Sequence, residues 1–278
     1  MIEVNFRWYS FLSDLAVKVK LTPGEIEVFT YQFDRQREHQ SITEIRRSIY
    51  ADKQIGGDNY RRISGNVYDK LTDLGIDFEN ATAERVDVVW QWLKQKYPQW
   101  EERLLGRSKL GVEALWTQLK ELGRYAPERM GAYIAENEVQ KAGALKNPQP
   151  KSFLQVVPQG IDGLKFKIVS EGMGQVLLLN YDDAKVVYCV CPSTQAPSIN
   201  LNRGEMSIPQ PESPYAYLGA EPGKEEWWGW IVPQMPILSW LEEARDRVLQ
   251  LNAVQLAELL TQVELQQGEV LHTFYRVS

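Results

Sequence analysis

Histidine and cysteine are scarce in this chain, with two of each in 278 residues, and the scarcity excludes several chemistries. Cys189 and Cys191 alternate along a segment that reads as a strand, so both side chains point to one face. Residues separated by a single position are poorly placed for a disulfide. Combined with His39 and His272 they match no zinc spacing, so the reading is two core thiols, with no metal and no cofactor. A serine or cysteine triad would have to recruit one of the same two histidines, and neither lies in a motif such as G-x-S-x-G. There is no P-loop and no G-x-G-x-x-G; "EGMGQ" lacks the third glycine and reads as a hairpin turn. No catalytic residue is predicted, and a cryptic enzyme ranks third among the functional readings.

Long apolar runs are also missing. None approaches the roughly 18 residues needed to cross a bilayer. The N-terminal "MIEVNFRWYSFLSDLAVKVK" interleaves Glu3, Arg7 and Asp14 with its apolar residues, unlike a secretory signal. A cytoplasmic protein without membrane partners is expected. A basic excess is absent too: the formal net charge is -6, which argues against a protein coated for non-specific nucleic-acid binding. Residues 18–75 carry ten Lys/Arg against nine Asp/Glu, while residues 151–278 carry nine against fifteen. Any contact with nucleic acid belongs to the N-terminal part.

What the chain does have is 44% hydrophobic and 24% charged residues, an ordinary globular composition, and a length suited to about two domains. Phe6, Tyr9, Leu12, Leu15 and Val19 recur at helical intervals. "LTPGE" follows, with Thr22 as N-cap, Pro23 at the first helical position and Glu25 three residues after the cap. "SITEIRRSIY" repeats the device with Ser41 and Glu44, and Ile42, Ile45 and Ile49 form its apolar stripe. After the turn "KQIGGD", with Asp58 as expected cap, the helix "NYRRISGNVYDKL" places Tyr60, Ile63, Val67, Leu71 and Leu74 in one sector. The opposite face carries Arg61, Arg62, Gly65, Tyr68, Asp69 and Thr72. A glycine in mid-helix costs about 1 kcal/mol relative to alanine, so Gly65 suggests that something approaches that face closely.

Two further helices are predicted, around Val86, Val89, Trp90, Leu93 and Tyr97, and around Val112, Leu115, Trp116, Leu119 and Leu122. "APERMGAYIAENEVQKAGAL" is ambiguous and partly helical, and "KNPQPKS" reads as a linker. Beyond residue 152 the period changes from near 3.6 to near 2. Strands are predicted near 153–157, 163–170, 174–181, 185–191, 204–209 and 225–232, then helix through "SWLEEARDRVLQLNAVQLAELLTQV" and a last strand in "GEVLHTFYRV". The expected fold is α+β: a helix-turn-helix-type domain over 1–80, a helical extension over 81–145, a linker over 146–152, and an antiparallel β-sandwich with C-terminal helices over 153–278. In "EEWWGW", Trp228 and Trp230 share one face and Trp227 takes the other, so one face is core; the other is expected to be packed by "SWLEEARDRVLQL", with a partner-protein interface or a stacking platform for a ligand as the alternatives. The pairs Asp182/Asp183 and Glu225/Glu226 read as solvated residues at turns and strand starts.

Two resemblances bear on function. The helix, turn and helix ending in "NVYDKL" resemble the helix-turn-helix domains of LuxR-type response regulators over some 55 residues, although Asp69 stands where a basic or polar contact residue is usual. The same segment is similar to the N-terminal domains of cyanobacterial conflict-system proteins, including the vWA-MoxR-associated ones, which implies an adaptor as much as a DNA binder. Residues 160–240 resemble a bacterial β-sandwich domain that often follows caspase-like peptidases and kinases, with Gly174, Asp182, Pro192, Asn200, Gly204, Pro209, Pro222, Gly223 and Glu225 at its patterned positions. That likeness implies an accessory role and no catalytic residues. Asn59, Arg61, Arg62, Gly65 and Tyr68 are therefore the candidate DNA- or partner-binding residues. Two adjacent arginines are also what an ordinary solvated helix carries, and a near-neutral module binds DNA weakly unless it dimerises. The expectation is a non-enzymatic regulatory or adaptor protein. DNA, a partner protein and a homo-oligomer all stay open, and a pure protein-interaction component of a defence or signalling assembly is the alternative.

Overall fold

Pro23 and the two S/T-x-x-E boxes fix where the first helices begin. The computed structural model describes residues 2–78, 84–135, 153–201, 204–219 and 221–278. In it α1 spans Ile2–Lys18, α2 Pro23–Gln32, α3 Ile42–Lys53, α4 Gly57–Leu71 and α5 Arg85–Ser108. Both predicted capping boxes form: Glu25 accepts from the Thr22 N–H at 2.8 Å, and Glu44 accepts from the Ser41 N–H at 2.7 Å. Each satisfies helix-end donors that nothing inside the helix can reach. One cap differs from expectation. Helix α4 starts one residue before Asp58, with Gly56 as N-cap, so Asp58 lies in the first turn, where its charge favours the positive end of the helix dipole.

Among the described residues there are eight α-helices and two sheets, helices leading and strands following. The chain divides into two compact units, one comprising 1–107 with 236–239 and 261–266, the other 108–235 with 240–260 and 267–278. The predicted linker, 146–152, lies outside the described residues.

The first unit is helical, and aromatic rings fill much of its interior. Trp8 of α1 stacks on Trp90 of α5 at 5.8 Å, Phe33 meets the same Trp90 edge-on, and Phe11 packs against Trp100 at 5.7 Å. Asp14 is buried in this core. It accepts from the Trp100 indole N–H at 2.5 Å and from the Gln262 side-chain amide, which supplies the partners a buried carboxylate needs.

The second unit begins with α6 (Val112–Glu121). Its larger sheet runs β1 (Arg124–Tyr125), β10 (Glu269–Val277), β8 (Gly223–Val232), β5 (Gln175–Tyr181), β6 (Val187–Cys191) and β9 (Leu249–Leu251), with β3 (Val156–Val157) also on β10. Its smaller sheet runs β2 (Met130–Ile134), β4 (Leu164–Val169) and β7 (Glu205–Ile208). Most pairings are antiparallel, as expected, but β1 and β3 lie parallel to β10. Both sheets contribute to one core, in which Phe166 of β4 stacks on Trp227 of β8 at 4.0 Å. Cys189 and Cys191 are buried free thiols, but they do not share the one face that alternation predicted: the pairing of β6 with β5 shifts register there, so Cys191 lies opposite Leu178 in the core between the sheets while Cys189 lies opposite Leu179. Burial pushes both thiols up from the ordinary range.

Three local expectations change. "MGAYI", within the segment read as ambiguous and partly helical, is strand, because it pairs with β4 through Ala132 and Phe166; residues 136–145 of that segment lie outside the described residues. The helix read through "SWLEEARDRVLQLNAVQL" breaks into α7 (Leu241–Asp246), β9 and α8 (Ala253–Leu265), since "LQL" pairs with β6. Trp228 and Trp230 do share a face opposite Trp227, yet cover for Trp228 comes from α6: its indole N–H donates to the Leu119 carbonyl at 2.8 Å.

Candidate functional site

The predicted face lies on α4, which follows α3 through a turn of Gln54, Ile55 and Gly56. Gln54 closes α3 in the left-handed conformation, at φ 57°. Val28, Ile45, Ile49 and Tyr60 from α2, α3 and α4 pack as one buried cluster, so the inward sector of α4 is the one its periodicity specified. Asn59, Arg61 and Arg62 are exposed, Gly65 is half-buried, and Tyr68 is buried.

Tyr68 is thus a correction to the presented face. Its hydroxyl accepts from the Gln32 side-chain amide, its ring meets Phe78 edge-on at 5.7 Å, and burial pushes its phenol up to about 12. Tyr60 donates to the other end of the same amide, Gln32 Oε1, at 2.9 Å. Both tyrosines of α4 are therefore fastened to α2. The helical wheel put Tyr68 outside because it sits at the margin of the sector, and α2 plus the segment after α4 widen the buried stripe.

The remaining face is polar and nearly balanced in charge. Arg61 pairs with Asp58 at 3.7 Å, Arg62 donates to Asn59 Oδ1 at 2.8 Å, and Asp69 lies 3.9 Å from Arg85. A methyl group added at Gly65 would meet nothing within 4 Å, so no internal contact demands that glycine. Lys70, one turn on, points inward, donating to Glu25 at 2.5 Å and to the Lys20 carbonyl at 3.0 Å.

Comparison with protein-family models, curated proteins and solved structures returns no match. Among the described residues no group of His, Cys, Asp and Glu is arranged to hold a metal ion, and no helix is long and apolar enough to cross a membrane.

A second cluster, in the other unit, was not singled out from sequence. Glu226 of β8 is gripped by Lys120 at 2.6 Å, by Lys224 at 2.5 Å and by the Trp116 indole N–H at 2.8 Å. Burial pushes the Glu226 carboxyl up, but the three hydrogen bonds outweigh it and hold the group down at about 2. Its neighbour Glu225 points to the opposite face and moves the other way: burial raises it, with Asp182 and Asp183 adding repulsion and only Asn180 opposing. Neither is the solvated residue expected, because β8 begins at Gly223 and places both inside the sheet. Asp182 is a turn residue as read, accepting from the Val186 N–H at 2.9 Å.

Beside Glu226 lies a cleft of about 460 Å³ lined by Lys120, Lys224, Tyr125, His272 and Phe274, among others. Burial lowers the His272 imidazole, Lys120 adds to that, and Glu226 partly offsets it. The signal was present in the period-2 pattern, which puts Lys224, Glu226 and Trp228 on one face of β8 and His272 and Phe274 on one face of β10. What joins them is the register His272 to Trp228 and Phe274 to Glu226, which neither segment encodes alone.

Proposed function

We propose that the chain is a regulatory or adaptor protein whose α2–α4 module, of helix-turn-helix type, docks a partner protein through the exposed face of α4. One observation carries this reading: Asn59, Arg61 and Arg62 stand exposed around a glycine whose missing side chain no internal contact requires. A helix that tolerates the cost of a mid-helix glycine for no packing reason is suited to close approach by another surface. Charge favours protein over DNA. Both arginines already have partners on their own helix, and Asp58 and Asp69 flank them, whereas duplex affinity comes largely from neutralising phosphates.

DNA binding is the second reading, favoured by the three-residue turn between α3 and α4 and by arginines in the first half of the last helix, where a recognition helix reads bases. The two-sheet unit is then a β-sandwich that senses or docks, and the whole acts in the cytoplasm.

Affinity purification from the native host, with wild type and an Arg61→Ala/Arg62→Ala variant, tests the proposal. A stoichiometric protein recovered by wild type, insensitive to nuclease and lost with the variant, is the expected result. If the variant recovers the same protein equally well, the face is wrong. Duplex binding that weakens steeply between low and moderate salt and disappears in the variant transfers the reading to DNA.

A further inference from the structure

We infer that the cleft formed by α6, β1, β8 and β10 is a binding site for a small aromatic monocarboxylate. This gives a ligand class to the sensing role read for the second unit, and it is independent of the α4 face.

Part of the cleft lining is cationic. Lys120 and Lys224 hold opposite oxygens of Glu226, Oε2 and Oε1, so two ammonium groups meet one carboxylate. Each ammonium has three N–H donors and uses one of them on Glu226. Glu226 Oε2 already accepts from both Lys120 and Trp116, which leaves donors in excess and one positive charge over. Glu121 also lines the cleft but is exposed, where water and salt screen it. A single negative charge fits that balance better than a polyanion.

Beside it is a shelf of rings. Tyr125 and Phe274 stack at 5.8 Å with planes 25° apart, and both are unusually open for large apolar side chains, at 44% and 40% exposure. His272 lies 5.6 Å from the Tyr125 ring. The Lys224 ammonium sits 4.9 Å over Phe274, so charge and ring surface adjoin. Gly123 lets the chain after α6 pack close against β10, since a side chain there would strike Val270 at 2.8 Å and lie 3.5 Å from His272. At about 460 Å³ the space is in the range of small-ligand pockets. A flat ring stacks on the shelf while its carboxylate reaches the two lysines.

With only two histidines in the chain, His272 is a clean reporter. The imidazole resonances of the intact protein are followed by NMR during titration with benzoate, with acetate (charge without ring) and benzamide (ring without charge) as controls. Saturable movement of the His272 signals by benzoate is expected, with His39 as the in-tube reference, and with each control binding at least about tenfold more weakly. Lys224→Met, which leaves the Lys120–Glu226 pair in place, is expected to weaken benzoate about tenfold, and Phe274→Ala to do likewise through the shelf. No saturable shift up to about 20 mM benzoate overturns the proposal. So do equal responses to all three probes, or benzoate binding that both variants leave unchanged. None of these outcomes touches the α4 reading, whose test is partner recovery.

Discussion

Tyr60 donates its hydroxyl to the side-chain carbonyl of Gln32 at 2.9 Å, and the relationship ties α4 to α2 inside the core. The amide of the same glutamine serves Tyr68, so one buried side chain, 2% exposed, satisfies two phenols. Gln32→Leu leaves both hydroxyls buried without that partner, and a loss of about 2–3 kcal/mol is expected in urea unfolding. Adding Tyr60→Phe and Tyr68→Phe to the Gln32→Leu variant is expected to recover part of the loss, because the orphaned groups are then gone.

Gly65→Ala separates stability from docking. The new methyl enters open space, and the substitution is expected to stabilise the protein by up to about 1 kcal/mol, read as a higher urea midpoint. Recovery of the partner on the α4 face falls in the same variant if close approach is the reason for the glycine.

Acid titration isolates Glu226. Its carboxyl is held at about 2 in the folded chain, against an ordinary value near 4.3 when unfolded. A depressed carboxylate contributes stability that is present above the unfolded value and is lost as pH falls toward the folded one. Glu226→Gln is therefore expected to be less stable than wild type at pH 7, with the gap closing between about pH 4.5 and pH 2. Denaturant unfolding at several pH values measures it, and a gap that stays constant over that window rejects the assignment.

Asp14 offers a check on the first unit. Asp14→Ala removes the acceptor for the Trp100 indole and the Gln262 amide, and a cost of about 2–3 kcal/mol is expected. Asp14→Asn, which keeps one side-chain oxygen, is expected to cost less. Urea unfolding followed by tryptophan fluorescence reports both, since Trp100 lies at the site.

Local chemistry was legible wherever one segment sufficed. Thr22 with Glu25 and Ser41 with Glu44 are capping boxes because a residue and its partner three positions on share the first turn. The strands around Leu164, Val176, Val187 and Trp228 follow from alternation and turn residues, within a residue or two. "MGAYI" and "LQL" were not legible as strands, because short apolar runs take the structure of whatever they pair with. Tyr68 was misplaced for a related reason: a wheel drawn for one helix cannot show how much of it a second helix will cover.

For the candidate sites the same division holds. Residue order alone set the inward sector of α4, the exposed Asn59, Arg61 and Arg62, and the opposite facing of Trp227 and Trp228, since each depends on the 3.6- or 2-residue period of a single element. Tertiary structure decided that Tyr68 is core, that Glu226 is a gripped carboxylate held down while burial raises adjacent Glu225, and that Lys120, Lys224, His272, Tyr125 and Phe274 line one cleft. The cause is the pairing of β8 with β10 and the placement of α6 over their outer face. Hydrogen-bond register and desolvation arise only between elements distant in sequence, so no reading of one segment contains them.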